Sequence, residues 1–314
     1  TTSGAQAYEV STSVPSGSVT LNATTVSFTS LTISGGTLTT NATTSVDALT
    51  FSSGTLSGSG AVTLDAMDWT GGLMSGTGST SLSGRGVFSM TSGSGYGASG
   101  APSISRSFTV GSGATLTIYR SSTASYYYVY INNTTGNVGN LINNGTINID
   151  HQAANGINYY LQFTYNNATG TITNSGTIYV DLTGSSTSTN SYVYGNVTFN
   201  NTSGTVKTAA TSTSNANSVW MQYGSGAISG TSYGDQGWWL ESGTHTISGT
   251  VSLRSGATSG TPSLVVAGGT LTANSTATVA SLGFTSGIVN GTGTLTLNGL
   301  NWTGGVMRGT GSTV

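Results

Sequence analysis

Carboxylates are scarce in this 314-residue chain: Glu9, Asp47, Asp65, Asp68, Asp150, Asp181, Asp235 and Glu241 are the only eight. Polysaccharide cleavage needs two of them at a set separation, or a calcium-bound carboxylate cluster beside a base. One group has suitable spacing. Asp47 and Asp65 share one position of an internal repeat, with Asp68 close behind, and stacking at that period would place the first two about 5 Å apart on one face. A bound cation would relieve their repulsion, so Asp47, Asp65 and Asp68 are the candidate metal ligands; the competing reading is three solvated turn acids. In a second copy of this stretch, described below, the same positions are Ala280, Asn298 and Asn301.

The remaining reactive groups assemble less well. Asp150 and His151 are adjacent, and adjacent strand residues point to opposite faces, so neither orients the other. His245 has no acid beside it in sequence. Serine is abundant, but a nucleophile elbow needs a strand-to-helix turn, and no segment carries a 3.6-residue apolar period. GSGYGASG at Gly93 lacks the lysine and following helix of a phosphate loop. We therefore expect no catalytic residue, no cofactor and no enzyme activity.

Aromatic residues form a more suggestive series. Tyr126, Tyr128 and Tyr130, then Tyr160, then Tyr194 precede successive Asn-Asn pairs. Stacked strands would turn outward-facing members into a ladder, available as a contact strip for glycans or for another copy of the chain; structural stacking is the alternative. Twelve Asn-x-Ser/Thr sequons, among them Asn22, Asn41, Asn133, Asn167, Asn201, Asn274 and Asn301, would permit glycosylation. Asparagines at turns would serve equally as hydrogen-bonded ladders.

The elements that must carry these residues are written most clearly between Ser30 and Ser83, where one 18-residue line occurs three times. Leu31, Leu49 and Met67 form one column, Ile33, Phe51 and Trp69 the next, and Leu38, Leu56 and Met74 a third, with Gly36, Gly54 and Gly72 between. Apolar residues two apart, then a glycine, at a fixed period, indicate β-coils that bury their apolar faces only against neighbours above and below. The expected fold is all-β: a parallel β-helix, or β-solenoid, with coils of one such line each, continuous over 1–314.

A larger repeat encloses the smaller one. Ile33–Ser81 aligns without a gap on Val266–Val314, with about half the positions identical. The columns recur as Leu264, Leu282 and Leu300, and as Val266, Phe284 and Trp302. Residues 33–265 read as one long module, and 266–314 as the start of a second copy. Between them, Asn132-Asn133, Asn166-Asn167 and Asn200-Asn201 recur at an even spacing, read as two slightly irregular coils per unit. The glycine-dense stretch 91–103, with Pro102, reads as a protruding loop.

Composition narrows the function classes. Only 4% of residues are charged, the net charge is −2 and six Lys and Arg are scattered, so no basic patch exists to neutralise phosphates and nucleic acid is not an expected partner. No apolar run reaches the roughly 20 residues a spanning helix needs. The chain opens TTSGAQAYEV, without the basic start or apolar core of a leader, and stops at Val314 inside a coil. The expectation is a window of a longer tandem array, or chains that stack end to end. Cysteine is absent, so redox compartment is not readable from it.

The strings GSGAVTLDAMDWTGG (58–72) and GTGTLTLNGLNWTGG (291–305), with NNTSGTV and NSGTIYV, resemble the β-solenoid repeats of secreted bacterial surface proteins, the filamentous-haemagglutinin-like adhesins and autotransporter passenger regions. That resemblance implies a right-handed parallel β-helix and an extracellular or cell-surface role, structural or adhesive, with no catalytic residues to carry over. Left-handed hexapeptide helices complete a coil at a similar period, so either hand is compatible with the repeat. The expected role is a structural segment of a filament or giant surface protein, self-associating; a glycan-binding adhesin module is the second reading and a polysaccharide-active enzyme a distant third.

Overall fold

Pairing between strands follows the columns read above. In a computed structural model, strand Thr25–Thr40 lies parallel to Thr43–Ser57, with Leu31 opposite Leu49, Ile33 opposite Phe51 and Leu38 opposite Leu56, each partner one repeat further along the chain. Strands Val62–Trp69 and Gly72–Met74 continue the register: Leu49 faces Met67, Phe51 faces Trp69 and Leu56 faces Met74. The structure describes residues 5–8, 12–90, 101–120, 126–132, 137–150, 160–164, 169–181, 192–208, 219–222, 224–229, 232–234, 238–248, 251–253 and 264–314. Every regular element among them is a strand, and the fold is an all-β parallel β-solenoid.

Two physical requirements select this arrangement. Alternate residues point to opposite sides of a strand, and each strand alternates small polar residues with apolar ones, so the apolar set turns inward and is buried. Corners between strands then demand backbone that only glycine adopts cheaply. Gly54 has φ +88°, and a Cβ there would come within 2.3 Å of the Gly36 carbonyl oxygen one coil below. The recurrence of glycine once per repeat is thus a steric demand of coils about 4.8 Å apart.

The chain divides into two compact units, Thr1–Asn148 with Thr164–Thr171, and Ile149–Phe163 with Ile172–Val314. In the first, an aromatic core grows along the Ile33 column. Phe51 stacks on Trp69 at 5.4 Å between centroids, and Phe88 meets Trp69 edge-on at 5.0 Å. Phe108 reaches the same ring from another strand at 6.2 Å, and Trp69 Nε1 donates to the Gly71 carbonyl. Such contacts add about 0.5–1.5 kcal/mol each beyond simple burial.

In the second unit the columns re-form. Leu264 faces Leu282 and then Leu300, and Val266 faces Phe284 and then Trp302, with the same step between partners. Leu300 and Trp302 keep the register but not the burial expected of core columns: they are 46% and 51% exposed. Each is covered from one side only, because no coil among the described residues lies on the other face of Leu300–Trp302.

Coil length departs from expectation in the middle of the chain. Ser107 pairs with Asn140, Tyr160 with Tyr192 and Thr177 with Thr205, each a far longer step than the one from Leu31 to Leu49. Each Asn-Asn unit therefore makes one wide coil rather than two narrow ones. The strands keep register while extra residues are accommodated between them, where the stacking repeat sets no length. The expected loop 91–103 is shortened from its far end, since Pro102 and Ser103 belong to strand Pro102–Ile104, paired with Gly72–Met74; 91–100 lie outside the described residues.

Candidate functional site

The candidate metal ligands keep the register expected of them. Asp47 and Asp65 occupy matched positions one coil apart, between the pairs Val46/Leu64 and Ala48/Ala66, and Asp68 follows on the same strand as Asp65. All three are exposed. Among the described residues, no three His, Asp or Glu side chains converge as metal ligands. Asp150 ends strand Thr146–Asp150, while His151 lies outside the described residues.

His245 is buried on strand Thr244–Ser248 with its Nε2 2.8 Å from the Ser242 carbonyl oxygen. Burial pushes its pKa below the ordinary value, and the backbone hydrogen bond opposes this only partly. Burial likewise raises the Glu241 carboxyl. These are responses to desolvation, with no nucleophile paired to either group among the described residues.

The tyrosine strip is only partly a surface. Tyr128 and Tyr130, on strand Tyr126–Ile131, are 8% and 2% exposed, stack at 6.0 Å and pack with Ala101. Ile131 is in register with Ile104, and Ile104 with the interior Met74, so alternation sends Tyr128 and Tyr130 to the outer face. That face is covered here, which removes these two from a free contact strip. Tyr126, Tyr160 and Tyr194 lie on strands Tyr126–Ile131, Tyr160–Thr164 and Tyr192–Gly195; their side chains are outside the description. Among the sequons, Asn201 is buried: it accepts from Asn174 Nδ2 at 2.7 Å and donates to the Gly204 carbonyl. It is a rung of an internal ladder. Asn41 and Asn22 make an exposed rung, 2.8 Å apart.

One site was not anticipated. Arg106, between strands Pro102–Ile104 and Ser107–Val110, is 1% exposed. Its Nε donates to the Gly78 carbonyl at 3.2 Å, and Nη2 donates to the carbonyls of Ser79 and Gly60, both at 2.8 Å. The side chain thus bridges two successive coils. It fits because its column is glycine: a Cβ on Gly78 would stand 2.4 Å from Nη2. Nη1 and the nearby Thr80 Oγ1 are buried without a partner. Desolvation lowers the guanidinium pKa to about 10, so it stays charged at neutral pH. No carboxylate is among its hydrogen-bond partners, which are all backbone carbonyls. The sequence signal was a lone arginine opposite Gly60 and Gly78, glycines one repeat apart in a column of small residues.

The second feature is the outer face of Leu300–Trp302. Leu300, Trp302, Val306 and Val314 are all exposed there. A cavity of about 210 Å³ opens on the same coil, with Gly293, Leu295, Gly311, Ser312 and Thr313 in its wall. The chain matches no protein-family model, no curated protein and no solved structure.

Proposed function

We propose that this chain is a structural segment of an extracellular filament, or of a giant cell-surface protein, built from tandem β-solenoid modules stacked along a fibre axis. One observation carries the reading: the same coil stack occurs twice, with Phe51 on Trp69 at 5.4 Å and 16° repeated by Phe284 on Trp302 at 5.7 Å and 29°. What recurs is the apolar column and the glycines, while Asp47, Asp65 and Asp68 become Ala280, Asn298 and Asn301. Recurrence of architecture without recurrence of reactive groups supports a mechanical role. Parallel strand ladders would carry tension along the axis, and a chain with only 4% charged residues permits close lateral packing. The likeness to haemagglutinin-type and autotransporter repeats supports the extracellular setting.

Stacked modules should associate along the axis. Electron microscopy and sedimentation over rising concentration are expected to show elongated end-on assemblies. Single particles at every concentration would overturn the reading.

A further inference from the structure

Nη1 of Arg106 and the hydroxyl of Thr80 share one corner of the first unit's core, and among the described residues neither has a hydrogen-bond partner. Thr80 is 0% exposed and Arg106 1%. The two are neighbours. Nη2 of the same guanidinium donates to the carbonyl of Ser79, the residue before Thr80, and Arg106 precedes the strand whose Ser107 and Phe108 pair with Ser79 and Thr80. A second threonine in this column shows what the first lacks. The column runs Thr44, Val62, Thr80, Phe108 from coil to coil. Thr44 Oγ1 lies 2.6 Å from Thr40 Oγ1 and donates to the Ala42 carbonyl at 3.3 Å. Two repeats on, Thr40 is replaced by Gly76, which has no hydroxyl, and Ala42 by Gly78, whose carbonyl receives Arg106 Nε instead. The arginine has taken the acceptor that a threonine at this position uses.

We propose that Nη1 of Arg106 and the Thr80 hydroxyl together hold a monatomic anion of the halide class inside the solenoid core. Donor chemistry sets the kind of occupant: guanidinium nitrogens only donate and a threonine hydroxyl can donate, so the occupant must accept from both. Charge makes it an anion. The carbonyls of Gly60, Gly78 and Ser79 are neutral partners, and a charge taken out of water is costly unless an opposite charge accompanies it. Burial lowers the guanidinium pKa only to about 10, so the positive charge persists at neutral pH. The donors that remain set its size. Val62 and Phe108, both buried and apolar, lie below and above Thr80, so a carboxylate or phosphate would keep oxygen lone pairs without donors, whereas a spherical halide needs only the two groups present. The site goes beyond the assembly reading and does not depend on it: it makes the stability of the first unit respond to halide.

The test follows urea unfolding of the intact chain at fixed ionic strength while sodium gluconate is exchanged for sodium chloride. A single site present only in the folded chain lowers the unfolding constant about 10-fold for each 10-fold rise in chloride above its dissociation constant, and bromide is expected to substitute. Thr80→Val gives this column the residue that Val62 already supplies one coil below, so it keeps the core packed; it is expected to weaken apparent chloride affinity about 10-fold through the lost hydroxyl. Arg106→Met is expected to abolish the chloride response. Crystals grown in bromide should show an anomalous peak beside Nη1 and the Thr80 hydroxyl. An unfolding constant indifferent to chloride, the result if the corner holds water or nothing, would overturn the proposal. So would a chloride response of equal size in the parent chain, Thr80→Val and Arg106→Met, which marks a general salt effect.

Discussion

The ring of Phe88 stands edge-on to Trp69, 5.0 Å between centroids and 81° between planes, and closes an aromatic column begun by Phe51. Trp302, at the same position in the second copy, has the Phe284 ring beneath it and is half exposed above. One residue type in one register thus has two environments, and the difference is energetic as well as geometric.

Truncation should expose that difference. Trp69→Ala empties a closed core and is expected to cost about 3–5 kcal/mol, whereas Trp302→Ala gives up only part of its burial and should cost about 1–2 kcal/mol. Urea unfolding of the two variants measures it; equal costs would mean that the outer face of Leu300–Trp302 is covered in solution.

Arg106 offers a second contrast. Arg106→Ala leaves a cavity and strips the Gly60, Gly78 and Ser79 carbonyls of their side-chain donor, with an expected loss of about 2–5 kcal/mol. Arg106→Met fills the slot without a desolvated charge and should recover much of that loss, since apolar replacement of a buried charge is often near neutral. Thermal melts of the two variants should therefore separate clearly; a methionine variant as unstable as the alanine one would show that the carbonyl bridges dominate.

Acidification tests the half-buried Glu241 and the buried His245, which flank an exposed turn. Native His245 resists protonation, so as pH falls through about 6.5 the unfolded chain takes up the proton first and stability drops; the contribution is intact above that pH. Glu241 acts with opposite sign, because its raised pKa makes the native carboxyl hold a proton to higher pH, and that contribution is lost as pH rises above about 4.5. His245→Gln should flatten the decline in melting temperature between pH 7 and 5, and Glu241→Gln should steepen it.

The exposed acids should be silent. Asp47→Asn and Asp65→Asn are expected to shift stability by no more than about 0.5 kcal/mol, and added calcium should leave the melting temperature unchanged. A calcium-dependent rise that Asp65→Asn removes would restore the cation site.

Much of the fold was legible because its determinants are local. The Leu31, Ile33 and Leu38 columns needed only an alternating pattern and a fixed period, and each paired in the register expected. Leu300 and Trp302 were legible in the same way, each in register with its partner one repeat earlier. The Asn-Asn units were misread because the spacing of Asn132, Asn166 and Asn200 records the length of a coil and its excursions together, and only strand pairing separates one wide turn from two narrow ones.

The sequence alone determined which side chains stack, because the pleat and a fixed period act through neighbours in the chain and through one repeated spacing. Tertiary structure decided what lies across the coils. Arg106 reaches Gly60, 46 residues away, and Ala101 packs on the outer side of Tyr128 and Tyr130. Those pairings depend on how many residues each intervening coil spends between its strands, and no periodic signal encodes that number.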